Sequence, residues 1–407
     1  MDEHRYKPPT PRDPASLIVG TTAAQVVGGL VTQMSPFMIA GLMGGLSLSE
    51  RDAGFVVSLE LLTLAVTAIA IAPVLPRLSN RRVSLVAVAL TLLAQAASIF
   101  SPSLPSLTLL RGLAGIGEGA LYAVSLAVVA SRSSNPDKVY GYFQIAWALG
   151  SVALFAAGGQ LTSAFAWRGI SALVTGVTLA LSPLLLFIPG VRAKNDERAA
   201  PDAARTSPTL GVMTLAGTGL YLIASSAIYA FSAPLGERAG LDTNAVGYAL
   251  TVSTLLGLAG AGAATTINVR WGRMIPISGF FIGFVLVVLV LCLSRNRIAY
   301  VIALVASVIV YYFSMPYMFG LAAALDRNGR WAAAAGSAYL LGFAAGPLFA
   351  GVVIAGASYT GFALACVAIT AVAWGLTMVV SLRLRGAART TLPATHPAQD
   401  GPPGPSS

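Results

Sequence analysis

The sequence predicts an all-α integral membrane protein with twelve transmembrane helices in two pseudo-symmetric six-helix bundles. Three observations carry this expectation. Of 407 residues, 56% are hydrophobic and 10% charged, with mean hydropathy +0.78; a soluble domain carries about 25% charged residues. The apolar residues recur in separate long runs, each near the roughly 20 residues that a bilayer crossing requires. The basic residues fall mainly on alternate connections between the runs.

The runs lie at 17–44, 53–75, 83–101, 106–130, 139–163 and 168–189, then at 209–233, 244–266, 275–293, 298–323, 332–356 and 361–382. The first is too long for a signal-peptide core and is read as a retained helix; Gln25 and Thr32 share one of its faces. The second carries Glu60, with Thr63 and Thr67 continuing a polar face, and the third follows Arg81 and Arg82. The fourth carries Arg111 and Glu118, and the fifth places Gln144, Trp147 and Ser151 at i, i+3 and i+7. The sixth ends at a polar stretch, 191–208, the longest between spans. The seventh offers Tyr221, Ser225 and Tyr229. The eighth opens on Ala245-Val-Gly-Tyr-Ala-Leu-Thr251, the ninth follows Arg270-Trp-Gly272-Arg273, and the tenth carries Ser307, Tyr311, Ser314 and Met318 on one face, with Pro316 expected to bend it. The eleventh contains Gly342-Phe-Ala-Ala-Gly346-Pro347, and the twelfth ends before Arg383.

The expected organisation is a cytoplasmic tail (1–16), a first bundle (17–190), a cytoplasmic loop (191–208), a second bundle (209–382) and a disordered cytoplasmic tail (383–407). The halves echo each other. Asp52-Ala-Gly-Phe-Val-Val-Ser58 resembles the opening of the eighth span, and a shift of 193 residues maps Gly54 onto Gly247, Ser58 onto Thr251 and Arg77 onto Arg270. Duplicated six-helix units suit two bundles that rock about a central site.

With both ends placed inside, 19 of the 25 Lys and Arg residues fall on the cytoplasmic side. Arg51, Arg168, Arg238, Arg295 and Arg297 fall outside, and Arg111 is left within a span. This asymmetry accounts for the net charge of +10 as a topology signal, so no nucleic-acid partner is expected. The expected location is the inner (plasma) membrane. Cys292 and Cys366 lie in spans, and His4 and His396 lie in the tails. No disulfide, metal site, cofactor or enzymatic cluster is expected. The glycines at 115, 117 and 119 follow no strand, so they suit close helix packing rather than a dinucleotide.

The stretch from Arg111 to Ser125 carries the chemistry. An intramembrane Arg or Glu costs on the order of 3 kcal/mol by insertion scales, and such residues usually face a partner or a wet path. On a helix, Arg111, Gly115, Glu118, Tyr122 and Ser125 form one stripe. Counted from the span ends at about 1.5 Å per residue, Glu60 falls in depth between Arg111 and Glu118. Glu60, Arg111 and Glu118 are therefore the expected proton-coupling or ion-pair residues. Two readings stand: a carboxylate that alternates between Arg111 and water, or a static pair that locks the second span to the fourth. Glu118 is preferred as the proton carrier because it shares the stripe with Arg111.

Several motifs resemble the major facilitator superfamily. The loop after the second span, Ala72-Pro-Val-Leu-Pro76-Arg77-Leu-Ser79-Asn-Arg81-Arg82, is similar to the Gly-x-x-x-Asp-Arg-x-Gly-Arg-Arg loop of that family, with Pro76 in place of the acidic residue and Ser79 in place of the second glycine. Arg111, Gly115 and Gly117 match the Arg-x-x-x-Gly-x-Gly pattern of its fourth helix. The fifth-helix Gly-Pro motif of drug antiporters is absent, since Ser151 follows Gly150. The resemblance implies cytoplasmic gating loops at Arg77, Arg81 and Arg82 and at Arg270, Gly272 and Arg273. It implies a cavity lined by the first, fourth, seventh and tenth helices, and an arginine that assists proton transfer.

The cavity candidates are Gln25, Thr32, Tyr122, Gln144, Trp147, Tyr221, Ser225, Tyr229, Ser307, Tyr311, Ser314 and Met318. Aromatic walls with a few hydrogen-bonding groups suit a small amphiphilic or aromatic solute; ordinary core packing is the alternative. The expected function is secondary-active, proton-coupled transport by alternating access, in a monomer that needs only its solute, protons and the bilayer. One charge crossing 100 mV supplies about 2.3 kcal/mol, roughly a 50-fold gradient of a neutral solute. A drug/proton antiporter that exports toxic compounds is the nearest alternative, and a non-transporting scaffold or receptor is the alternative of another class.

Overall fold

The computed structural model describes residues 13–101, 103–190, 208–267, 272–325 and 330–390. Among them the only regular secondary structure is helical: α1 (Ala15–Leu46), α2 (Glu50–Ile71), α3 (Asn80–Ile99), α4 (Leu104–Arg132), α5 (Pro136–Leu181), α6 (Pro208–Ala230), the short α7 (Ser232–Arg238), α8 (Thr243–Ile267), α9 (Met274–Leu293), α10 (Arg297–Ala323) and α11 (Arg330–Thr390). The helix ends follow local chemistry. The Ser49 hydroxyl accepts from the Asp52 amide at the head of α2, and the Asn135 side chain accepts from the Lys138 amide at the head of α5. Pro105 and Pro136 open α4 and α5, where a missing N–H costs nothing.

Two of the eleven helices are double. α5 turns at Ala166 (φ 52°, ψ −136°) and α11 turns at Ser358 (φ 66°, ψ 174°), so each contributes two crossings. The described residues thus supply twelve stretches long and apolar enough to cross a membrane. At these two places a single non-helical residue replaces the short loop the sequence suggests. The Ala166 turn sits on the end of α1, where a Cβ on Gly41 would collide with the Trp167 backbone, and one on Gly45 with the Ala166 and Trp167 side chains.

The two bundles meet along two seams, α2 against α11 and α5 against α8. Both seams bring backbone onto backbone through glycine. A Cβ on Gly54 would overlap the Pro347 carbonyl, and one on Gly351 the Glu50 carbonyl. In the other seam a Cβ on Gly247 would lie 2.6 Å from the Phe155 carbonyl oxygen, and one on Gly159 3.1 Å from that of Thr243. The four contacts are related pairwise by a shift of 192 or 193 residues. The duplication therefore extends to the way the halves touch.

The seams lie toward the α1–α2 end of the molecule. Gly141 lies on the same face of α5 as Gly159, about five turns away, and Gly262 lies about four turns from Gly247 and about 60° round α8. A Cβ on either would meet nothing within 4 Å. The helices that touch at one end diverge at the other and leave a cleft between the bundles.

Candidate transport site

The buried ionic cluster lies inside the first bundle. Glu60 on α2, Arg111 and Glu118 on α4, and Gln95 on α3 are each 0% exposed. Arg111 Nη1 donates to Glu60 Oε1 at 3.2 Å, and its Nε reaches Ser98 Oγ at 3.4 Å. Gln95 Nε2 donates to Glu118 Oε1 at 2.8 Å. Among the described residues, Arg111 Nη2, Glu118 Oε2 and Gln95 Oε1 have no hydrogen-bond partner. Buried polar atoms of this kind are costly.

The two carboxylates have different partners. Glu118 shares a stripe with Arg111, yet Arg111 pairs with Glu60, and Glu118 turns to Gln95. The stripe along α4 meets different partners at successive turns. Arg111 meets α2 and α3. Gly115 admits the Glu60 carbonyl, Glu118 meets α3, and the Tyr122 backbone lies against Gly28 of α1. Ser125 Oγ then donates to Gln25 Oε1 on α1. The cluster is closed off from the cleft in this conformation.

The cleft walls carry aromatic rings from both bundles. Tyr229 on α6 donates its hydroxyl hydrogen to the Gln33 backbone oxygen on α1 at 2.8 Å, a bond between the bundles. Gln33 Nε2 donates to Ser151 Oγ on α5 at 2.9 Å. Trp147 is half-buried against Gly29 of α1, and Gln144 is exposed. Tyr311 on α10 and Tyr339 on α11 join hydroxyls at 2.6 Å. Tyr339 and Phe343 stack at 6.1 Å, and Phe319 lies 6.1 Å from Tyr339. Tyr122, Tyr229, Tyr311 and Tyr339 are all half-buried, so part of each remains open to a solute. The half-buried Thr32 and Ser307 hydroxyls turn back to carbonyls of their own helices, Gly29 and Leu304.

Five cavity candidates are buried: Gln25, bonded to Ser125 within the first bundle, and four in the second. Tyr221 is 0% exposed and ringed by Phe280, Phe281 and Phe284 of α9 at 5.2–5.4 Å. Ser314 bonds its hydroxyl from α10 at 3.0 Å, and Met318 is buried beside them. Ser225, on α6 with Tyr221, is also buried. The reason is packing: on the same helix faces that carry Tyr229 and Tyr311, Tyr221 and Ser314 sit where α6, α9 and α10 close on one another. Gln33, Tyr339 and Phe343 were missed. A glutamine beside Thr32 and an aromatic i, i+4 pair just before Gly346-Pro347 were the available signals.

The loop after α2 docks within its own bundle. Arg81 Nε donates to the Ile188 carbonyl at 3.0 Å, and Ser79 Oγ to that of Gly190 at 3.0 Å. Arg77 and Arg82 are exposed. Among the described residues these contacts stay within the first bundle, and Pro76 stands where the family loop has its acidic residue. In the second half, Gly272 has φ 73°, a backbone that favours glycine, and Arg273 precedes α9. Arg270 lies outside the described residues.

No curated protein matches this sequence. Solved structures match in fold. A bacterial homolog of the human lysosomal transporter Spinster, inward-facing and unoccupied, is 14% identical over 92% of this chain and 97% of its own, with TM-score 0.68. A D-xylose-proton symporter is 16% identical over 88% and 97%, with TM-score 0.68. A nucleoside transporter, NupG, is 11% identical over 91% and 98%, with TM-score 0.66. The sequence profile of the Major Facilitator Superfamily matches residues 21–330. With twelve crossings and the paired seams, this match establishes that the chain is a multi-pass membrane transporter and belongs to the major facilitator superfamily.

Proposed function

We propose that the protein carries a small, uncharged amphiphilic or aromatic solute by alternating access, coupled to protons through Glu118. The observation that carries this reading is the inter-bundle cleft. Two glycine seams close one end, the other end is open, and Tyr122, Tyr229, Tyr311 and Tyr339 face it with Gln33 and Trp147. These residues supply ring faces and hydrogen bonds without formal charge, which suits a neutral solute. The solved relatives include carriers named for a sugar and for a nucleoside, which supports a ring-bearing solute. Arg77, Arg81, Arg82, Arg132 and Lys138 lie on connections at the open end, so that end and both termini are assigned to the cytoplasm of a plasma membrane. The carrier works as a monomer.

Within the ionic cluster the roles divide. The paired Glu60 and Arg111 lock α2 to α4. Glu118 has one oxygen unpartnered and carries the proton when α3 and α4 separate in another state of the cycle.

Reconstitution into liposomes under an imposed pH gradient tests both parts, with solutes chosen by thermal shift of the purified protein. The wild type should accumulate a solute, and Glu118→Gln should lose accumulation while keeping solute exchange. Undiminished accumulation by a folded Glu118→Gln variant overturns the proton assignment. No saturable exchange of any screened solute overturns the carrier reading. Loss of drug resistance on gene deletion would redirect it to export.

A further inference from the structure

Three of the five basic residues on the face opposite the basic connections line one shallow, open surface cavity of about 540 Å³. Arg238 ends α7, and Arg295 and Arg297 flank Asn296 in the turn between α9 and α10. Among the described residues, no carboxylate lies within 4 Å of any of the three. The acidic neighbours are otherwise engaged. Glu237 accepts from the Thr243 hydroxyl at 2.9 Å, and Asp242 accepts from the Ala245 amide at 2.7 Å. The Asn296 side chain takes the Ile298 and Ala299 amides, so the free donors in the cavity are guanidinium groups rather than the helix N-terminus.

Arg238 is held in place, and space is left for Arg297 beside it. Arg238 donates to the Cys292 carbonyl at 3.1 Å and lies 3.9 Å over the Tyr359 ring. Both contacts fix the guanidinium and leave its charge uncompensated. Gly240 has φ +87°, and a Cβ there would meet Arg297 Nε at 3.0 Å. Glycine at this position thus serves both the turn and the space for the arginine. The cavity also adjoins apolar surface. Leu293 at the end of α9 is 49% exposed, and Ile298 and Ile302 on α10 are 72% and 64% exposed. Cations at the edge of such faces lie at headgroup depth.

We propose that this cavity binds a phosphate-bearing anion, held by the guanidinium groups of Arg238, Arg295 and Arg297. Planar forked donors match phosphate oxygens in pairs. The exposed apolar rim favours a lipid headgroup over a free ion as the source. The site stands apart from the cleft, so it is independent of the solute.

The test uses purified full-length protein in neutral detergent, with thermal unfolding followed during titration with short-chain phosphatidylglycerol or with inorganic phosphate. Arg295→Gln/Arg297→Gln is the test variant, because both side chains are exposed and their loss leaves the core intact. Arg51→Gln, exposed on the same face, controls for charge alone. The lipid should raise the unfolding temperature saturably. Half-saturation should move about tenfold higher in the double variant and stay put in the control. An equal, saturable effect of inorganic phosphate upholds the site and assigns it a soluble anion. Equal responses of wild type and double variant, or no response to either compound, overturn the proposal.

Discussion

The backbone N–H of Leu348 donates to the Ser58 hydroxyl at 2.7 Å, tying α11 of the second bundle to α2 of the first. Ser58 lies one turn from Gly54, whose missing side chain lets the Pro347 carbonyl approach. Its counterpart Thr251 lies one turn from Gly247 in the other seam.

A bulky residue at either glycine should therefore hold the seam apart. Gly54→Leu and Gly247→Leu are each expected to fold, to lose most transport, and to expose the closed end. A cysteine placed at Ser58, a buried position, reports this. Maleimide labelling should rise several-fold in the Gly54→Leu background. Unchanged labelling with normal flux would contradict the seam's role.

The Glu60–Arg111 pair makes a prediction about stability. Arg111→Ala strands a fully buried carboxylate and should cost about 3–5 kcal/mol. Glu60→Gln combined with Arg111→Met should recover much of that loss, because the penalty comes from an uncompensated charge. Unfolding in detergent measures both, and a mild Arg111→Ala effect would show that the pair contributes little.

Core and cleft aromatics should separate cleanly. Tyr221→Ala removes a ring enclosed by three phenylalanines and should cost about 3–5 kcal/mol. Tyr339→Ala loses one stacked ring and one hydroxyl contact at a half-open position, about 1–2 kcal/mol. Comparable losses would mean that Tyr339 is packed as core.

Asp13 offers a pH prediction outside the membrane. Hydrogen bonds from the Ser133 hydroxyl and from the Ser134 amide and hydroxyl lower its pKa below the usual 3.8. A depressed carboxylate supports the fold above its unfolded pKa and loses that support as pH falls through the folded value. Protection of the Ser134 amide from hydrogen exchange should therefore hold at and above pH 3.8 and be lost only as pH falls through the lower folded value. Asp13→Asn should remove this pH dependence.

The spans were readable because bilayer thickness sets a run length that composition reveals directly. Helix rise alone puts Glu60 in depth between Arg111 and Glu118, and could not say which of the two neighbours it meets. What escaped was set by neighbours. Tyr221 and Tyr229 lie on one helix, and only the packing of α6 on α9 decides that the first is enclosed and the second reaches Gln33. Gln95 carries no signal until α3 is placed beside Glu118. The turn at Ala166 is equally silent, since alanine rarely adopts positive φ and does so here on the glycine end of α1.

The pairwise equivalence of the seams bears on ancestry. Gly54 against Pro347 and Gly247 against Phe155 are one contact made twice with the roles of the halves exchanged. That is the self-complementary geometry of a two-fold dimer. A half-length precursor with one such glycine and one such carbonyl could bind its own copy through both seams at once, so fusing the two genes would have preserved an interface already in use.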